Sequence, residues 1–228
     1  MAEPKQPNEP ARLDDHPGDG VSRSTARMEA FADAVFAIAF TLSIVEIPLP
    51  EGDQDFLGQL AKRWPSYLAY ALAALVIGIY WLQHHFTGAI YRTTGHYFNA
   101  ATVLFLAAVG FIAFPIRAFA EHINDPVARP AAAIFLTCAL AITSLAWLFK
   151  WSVGRLSGHV DSRLDWFYVR RLNRTYLLTS AMLVIAAILS FASWQAGLAL
   201  GGLVTLYYLI PPATPVYHGE APTTADEA

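Results

Sequence analysis

The sequence is poor in charged residues. Only 14% of its 228 residues are Asp, Glu, Lys or Arg, whereas a soluble domain contains about 25%, and this difference indicates a membrane protein. Basic residues do not outnumber acidic ones, at 15 against 18, so the chain lacks the basic surface that binding to nucleic acid requires. A single cysteine, Cys138, excludes a disulfide within the chain.

Both ends of the chain lack long apolar runs. Residues 1–26 are rich in Pro, Asp, Glu and Arg and contain no segment typical of a cleavable signal peptide. Residues 213–228 are rich in Pro, Thr and Ala. We expect these two segments to be disordered cytoplasmic tails and residues 27–212 to form a transmembrane domain.

Between the tails, six apolar stretches approach the length that a helix needs to cross about 30 Å of hydrocarbon. The chain is therefore predicted to be an all-α, polytopic membrane protein with six transmembrane helices. The predicted spans are residues 30–47, 66–86, 98–120, 131–151, 175–192 and 194–210. The last two are separated by one residue, so we expect them to form a tight antiparallel pair.

The distribution of Lys and Arg predicts the orientation, because these residues are retained on the cytoplasmic side. With the N-terminus inside, the outer segments contain only four of the 15 basic residues. These four are Lys62, Arg63, Arg117 and Arg129. The bias predicts that both termini are cytoplasmic. The inner segment 152–174 mixes arginines with aromatic residues, which is typical of a helix lying on the membrane surface or of a positively charged retention loop.

Asp33 lies near the start of the first predicted span, where an ionisable group is costly unless it has a partner. One interpretation is that Asp33 is an acidic residue in the first turns of the helix, where the helix dipole stabilises it. The other interpretation is that Asp33 has a functional role. Arg27 precedes it by six residues, which separates the two side chains by about 120° around a helix. We therefore expect Asp33 to find its donor on another span.

His84 and His85 end the second span at the same cytoplasmic depth. Chelation of a metal by one helix favours ligands at positions i and i+4, and this spacing is absent here, so no metal site and no catalytic residue is predicted. A polar network that joins Asp33, a histidine and Asn99 is favoured instead. Asn99 has an alternative interpretation as the N-cap of the third span.

One face of the first span contains Ile38, Thr41, Leu42 and Val45, at positions i, i+3, i+4 and i+7. This spacing is typical of ordinary helix packing, with the Thr41 hydroxyl bonded to a carbonyl one turn earlier. The same face lines a pore only if a closed homo-oligomer supplies several copies of it. The sequence has no TVGYG, so such a pore has a hydrophobic constriction with threonine hydroxyls rather than a filter of carbonyl groups.

The segment with Arg27, Phe31, Ala32 and Asp33, followed by an apolar helix with Thr41, resembles the R-x-x-x-F-S-D signature of the transmembrane protein 175 family of potassium channels. The second span is also similar to that family, through Tyr80, Trp81, His84 and His85. One residue departs from the pattern, because Ala32 occupies the position of the family serine.

The resemblance implies a homotetrameric potassium channel in a bacterial plasma membrane, with no cofactor and no enzymatic activity. By this comparison the first span of each subunit lines the pore through Ile38, Thr41, Leu42 and Val45. A structural network then holds that span; its members are Arg27, Phe31, Asp33, His84, His85 and Asn99. The alternative is a proton channel or proton-coupled transporter that uses Asp33, His84 and His85, since histidine titrates near neutral pH.

Overall fold

The computed structural model describes residues 24–45, 47–50 and 55–218, and within these ranges its regular structure is helical apart from two isolated β-bridges. The helices are α1 (Ala26–Val45), α2 (Phe56–Lys62), α3 (Trp64–Gly88), α4 (His96–Phe111), α5 (Ala113–Glu121), α6 (Ala128–Leu156), α7 (Trp166–Ala192) and α8 (Trp194–Tyr207). The predicted all-α class is confirmed. Most of the two predicted tails, residues 1–23 and 219–228, lies outside the described residues.

Five helical segments in the described ranges are long and apolar enough to cross a membrane, namely α1, α3, α4 together with α5, α6 and α7. They coincide with the first five predicted spans. The sixth predicted span is α8, whose 14 residues extend about 21 Å. This length is shorter than the hydrocarbon core of about 30 Å, so five of the six predicted spans meet the length requirement.

The arginine-rich segment before the fifth span is not a separate surface helix. Helix α7 begins at Trp166, with Asp165 as its N-cap, whose carboxylate accepts a hydrogen bond from the Tyr168 N–H at 3.0 Å. This side chain satisfies a donor that the first turn leaves free. The sequence-based interpretation as a separate helix is therefore wrong, and the arginines at positions 170, 171 and 174 lie in the first turns of a long helix.

The core lies where α4, α6 and α7 pack together. Large aromatic side chains fill it, among them Phe98, Phe105, Trp147, Trp151 and Tyr176. Helix α1 packs at the edge of this core against α3 and α4. It does so through one narrow stripe, since its buried residues are Met28, Ala32 and Phe36 at a spacing of four.

Helix α8 returns along α7 as an antiparallel neighbour. A Cβ added to Gly197 of α8 would lie 2.5 Å from the Cβ of Ser190 and 2.6 Å from the carbonyl oxygen of Ala186, both on α7. A small residue at this position therefore lets the two backbones approach closely, as in many membrane helix pairs. The predicted tight antiparallel pair is confirmed.

The chain after α8 lies against the loop between α6 and α7. The Asp165 N–H donates to the Val216 carbonyl at 2.8 Å, and the His218 N–H donates to the Arg163 carbonyl at 2.7 Å. The His218 Nε2 atom is 2.8 Å from a carboxylate oxygen of Asp165. The described part of the predicted C-terminal tail, residues 213–218, is thus held against this loop.

Candidate functional site

The face of α1 opposite its buried stripe is exposed in the single chain. The exposed fractions are 56% for Ile38, 57% for Leu42 and 74% for Val45, and Thr41 is also exposed. These four residues therefore do not pack into the core of their own chain. As predicted, the Thr41 hydroxyl donates back to the helix, to the Ala37 carbonyl at 2.8 Å.

The carboxylate of Asp33 finds its donor on another helix, as the sequence predicted. The indole N–H of Trp81 on α3 donates to its Oδ1 atom at 3.0 Å. The Trp81 ring also stacks on the ring of His85, with centroids 5.4 Å apart. A polar and aromatic chain of contacts thus runs from α1 to the last turns of α3.

His84 faces the opposite way and is buried. Its Nδ1 atom lies 2.6 Å from the Nζ atom of Lys150 on α6, and its ring packs on Phe36 of α1 with centroids 5.6 Å apart. When Lys150 is protonated, it only donates hydrogen bonds; Nδ1 of His84 is then the acceptor and the imidazole carries its proton on Nε2. That Nε2 atom has no hydrogen-bond partner among the described residues.

Lys150 is the functional candidate that sequence reasoning missed. Its side chain is 1% exposed. The Nζ atom lies over the rings of Trp147, Tyr91 and Phe105, at 4.8, 5.7 and 5.7 Å from their centroids. Aromatic faces attract a cation and replace part of its hydration, which explains how an ammonium group is accommodated in an apolar core.

A cavity of about 370 Å³ joins several of the predicted residues at the start of α1 and the end of α3. Asp33, His84 and His85 all line it, together with Glu29 and Arg92. The remaining lining residues are Thr25, Gly88, Ala89 and Tyr91. The cavity therefore brings together three residues of the predicted network on one solvent-accessible space.

The other predicted residues lie elsewhere. Arg27 and Phe31 are exposed on α1 and do not line this cavity. Asn99 accepts a hydrogen bond from the Thr94 hydroxyl, and among the described residues no hydrogen bond joins its side chain to Asp33 or to either histidine. The N-cap of α4 is Gly95, so the alternative interpretation of Asn99 as a helix cap is wrong.

The loop after α3 is hydrogen-bonded to the loop between α6 and α7. The Arg92 N–H donates to the His159 carbonyl at 2.9 Å, and the Asp161 N–H donates to the Ile90 carbonyl at 2.9 Å. Asp161 also accepts from Arg163 at 2.6 Å. The hydrogen bond from Arg163 holds the pKa of the Asp161 carboxyl below its usual range, with a further contribution from Arg92, so this loop junction keeps its charge in mild acid.

The described residues contain no group of three or more His, Cys, Asp or Glu side chains arranged to hold a metal ion. The arrangement found here is instead an apolar exposed face on one helix, with polar side chains at the base of that helix.

Comparisons with known proteins identify relatives of this chain. The sequence profile of the family described as endosomal/lysosomal potassium channel TMEM175 matches residues 27–113. A potassium channel of Streptomyces collinus is 33% identical over 81% of this chain and 91% of its own length. The human endosomal/lysosomal proton channel TMEM175 is 28% identical over 75% of this chain, but over only 36% of its own length.

A solved structure is also similar over most of the chain. It is the crystal structure of a lysosomal potassium-selective channel TMEM175 homolog from Chamaesiphon minutus, with a TM-score of 0.69 and 27% sequence identity. The similarity covers 82% of this chain and 96% of that chain.

Proposed function

The chain belongs to the TMEM175 family of potassium channels, and from this premise we propose that it conducts potassium ions through a pore lined by α1. The observation that carries the proposal is the exposure of α1. In an apolar 18-residue segment of α1, only 17% of the residues are buried in the single chain, against 33% to 56% in the corresponding segments of the other four candidate spans. A helix that packs so little within its own chain has most of its surface available to neighbouring subunits, ions and lipid.

A pore needs several copies of α1, because one helix cannot surround an ion. We propose a homotetramer in which the faces with Ile38, Thr41, Leu42 and Val45 meet around the symmetry axis. The apolar members form a constriction. The Thr41 hydroxyl uses its proton in the bond to the Ala37 carbonyl, which leaves lone pairs of its oxygen available to a cation.

The proposed topology has six spans with both termini in the cytoplasm of a bacterial cell, and a multi-pass channel domain in the plasma membrane. Helix α8 serves as the sixth span. Its packing along α7 through Gly197 supports this assignment, because the two helices then share one membrane-buried unit.

The polar residues at the base of α1 orient the pore face and do not contact the ion in this proposal. Ile38 follows Asp33 by five positions, which turns their side chains about 140° apart around the helix. The bond from Trp81 to Asp33 fixes that rotation. His85, stacked on Trp81, and His84, packed on Phe36 of α1, complete the proposed supporting network, whereas Arg27, Phe31 and Asn99 lie outside it.

Potassium flux into vesicles of reconstituted protein tests the pore. We expect Thr41→Val, which removes the hydroxyl while keeping the shape, to change the ratio of potassium to sodium flux, and Ile38→Ala to increase total flux. Ile142→Ala is the matched control, since Ile142 on α6 is exposed to a similar extent, 61% against 56% for Ile38. Unchanged ion preference and flux in both α1 variants would remove α1 from the pore.

A second candidate function is proton conduction. Two observations favour it: the cavity on which Asp33, His84 and His85 meet, and the similarity to a human protein named as a proton channel. If these groups carry protons, His84→Ala and His85→Ala should lower the proton flux into vesicles that contain a pH-sensitive dye. Equal proton flux in the wild type and both variants would count against this function.

A further inference from the structure

The chain after α8 forms a strap, residues 213–218, across the loop between α6 and α7. The two segments exchange backbone hydrogen bonds: the Asp165 N–H donates to the Val216 carbonyl at 2.8 Å, and the His218 N–H donates to the Arg163 carbonyl at 2.7 Å. Two-stranded pairing is at most marginally stable in water, even in a complete hairpin. Side-chain contacts therefore decide how firmly the strap is attached.

Two of these side-chain contacts do not respond to pH in the neutral range. The Tyr168 hydroxyl of α7 donates to the Ala213 carbonyl at 3.1 Å. The guanidinium group of Arg163 lies over the ring of Tyr217, 5.5 Å from its centroid. Arginine stays charged and tyrosine stays neutral between about pH 5 and 8, so these contacts hold the strap equally across that range.

The third contact contains a group that does titrate there. The Nε2 atom of His218 is 2.8 Å from the Oδ2 atom of Asp165, the residue that also caps α7. The His218 side chain is 69% exposed, so it exchanges protons with the solvent while the strap is attached. Histidine gains its charge as the pH falls from about 8 to 5.

Asp165 stays ionised over the same range. The hydrogen bond from His218 holds the pKa of its carboxyl below the usual range, with a further contribution from the Tyr168 N–H. The carboxylate therefore loses its charge only in stronger acid than the acid that protonates His218. The contact is an ion pair in mild acid, and it loses the attraction of the cation as the pH rises above neutral.

Among the described residues, no other group around the strap changes its charge in this range. The remaining titratable or charged side chains that face it are Asp161, Arg163, Tyr168, Arg171 and Tyr217. Arg163 binds Asp161 at 2.6 Å, and its hydrogen bond holds the pKa of that carboxyl below the usual range. His218 is therefore the group through which protons act on the strap.

We propose that the strap is a pH-sensitive latch, which protonation of His218 tightens and loss of that proton loosens. The strap is thus attached most firmly in mild acid, where His218 is a cation and Asp165 an anion. As the pH rises, the backbone hydrogen bonds to the loop open more often.

The loop that the strap holds also receives the chain after α3. The Arg92 N–H donates to the His159 carbonyl and the Asp161 N–H to the Ile90 carbonyl, both at 2.9 Å. Helix α3 in turn packs against α1. The latch therefore acts on the loop to which the neighbour of α1 is attached. An effect of the latch on ion flux rests on the proposed function, whereas the attachment of the strap does not.

Hydrogen exchange of the purified full chain in detergent tests the latch, because backbone protection measures local opening. Mass spectrometry follows the peptides that contain the Asp165 and His218 amides at about pH 5.5 and about pH 8, with rates corrected for the intrinsic effect of pH on exchange. His218→Gln keeps a hydrogen-bond donor that does not titrate. Asp165→Asn keeps an N-cap acceptor for α7 without the charge. His122→Gln is the matched control, because His122 is an exposed histidine before the other end of α6.

We expect the protection of these peptides in the wild type to be about two- to fivefold greater at the lower pH, as for the gain of one exposed ion pair. This response should disappear in His218→Gln and in Asp165→Asn and persist in His122→Gln. No response in the wild type, an equal response in the wild type and His218→Gln, or loss of the response in His122→Gln would overturn the proposal. None of these outcomes depends on whether the chain conducts ions.

Discussion

The contact between Lys150 and His84 predicts that replacing Lys150 and replacing His84 lower the free energy of unfolding by different amounts. Lys150→Met keeps most of the apolar chain and leaves a neutral imidazole with an unpaired Nδ1, a loss of about 1–3 kcal/mol in the free energy of unfolding. His84→Leu leaves a buried ammonium group without its acceptor. Losing one partner of a buried charge costs about 3–5 kcal/mol. The contacts of Lys150 with Trp147 do not offset this loss, because they are present before and after the change.

The double variant separates this explanation from simple loss of packing. Replacing both partners removes the buried charge together with its acceptor, and such replacements are often neutral or stabilising. The double variant should therefore be more stable than His84→Leu alone. The resulting coupling energy between the two positions is expected to be about 2 kcal/mol.

Reversible unfolding in mixed micelles, followed by circular dichroism, gives the four free energies that this cycle needs. Lys62→Met is the control, because Lys62 is exposed and its loss should change stability by less than about 0.5 kcal/mol. The reasoning is refuted if His84→Leu costs no more than Lys150→Met. It is also refuted if the double variant loses the sum of the two single losses.

Two further predictions follow from close contacts between helices. Gly197→Val should destabilise the protein by about 1–3 kcal/mol, because the valine side chain would overlap Ser190. Thermal unfolding measures this loss. Gly202→Ala is the control and should have little effect, because the space around Gly202 is open. Trp81→Phe should cost about 0.5–1.5 kcal/mol because Asp33 loses its donor. Adding Asp33→Asn to that variant should then cause little further loss, and a full second loss would contradict the bond.

Much of the fold was predictable from the apolar runs, because a helix in hydrocarbon must satisfy its own backbone groups. The runs predicted the five helical segments of the described residues that are long enough to cross a membrane, and the single residue between the last two runs predicted the antiparallel pairing of α7 with the shorter α8. The helix ends were predicted less well. Helix α7 begins at Trp166, nine residues before the predicted span. The Asp165 cap stabilises its first turns, which are too polar for hydropathy to identify as part of a span.

The same limit explains why Lys150 escaped notice. It falls one residue before the predicted end of the fourth span, where a lysine is normally a snorkelling interfacial cation. Helix α6 continues to Leu156, so Lys150 lies within the bundle and not at its surface. Its partner could not be predicted either, because the approach of His84 depends on how α3 and α6 are rotated against each other.

The departure of Ala32 from the family pattern acquires a different meaning in this structure. An alanine in place of the family serine lacks a hydroxyl that could bond to the neighbouring Asp33. However, Ala32 is fully buried in the stripe that attaches α1 to the core, and successive helical residues point about 100° apart. Asp33 is bonded from the other side, by Trp81 of α3. Ala32 and Asp33 therefore make separate contacts: Ala32 packs in the core between helices, and Asp33 accepts its hydrogen bond from the indole of Trp81.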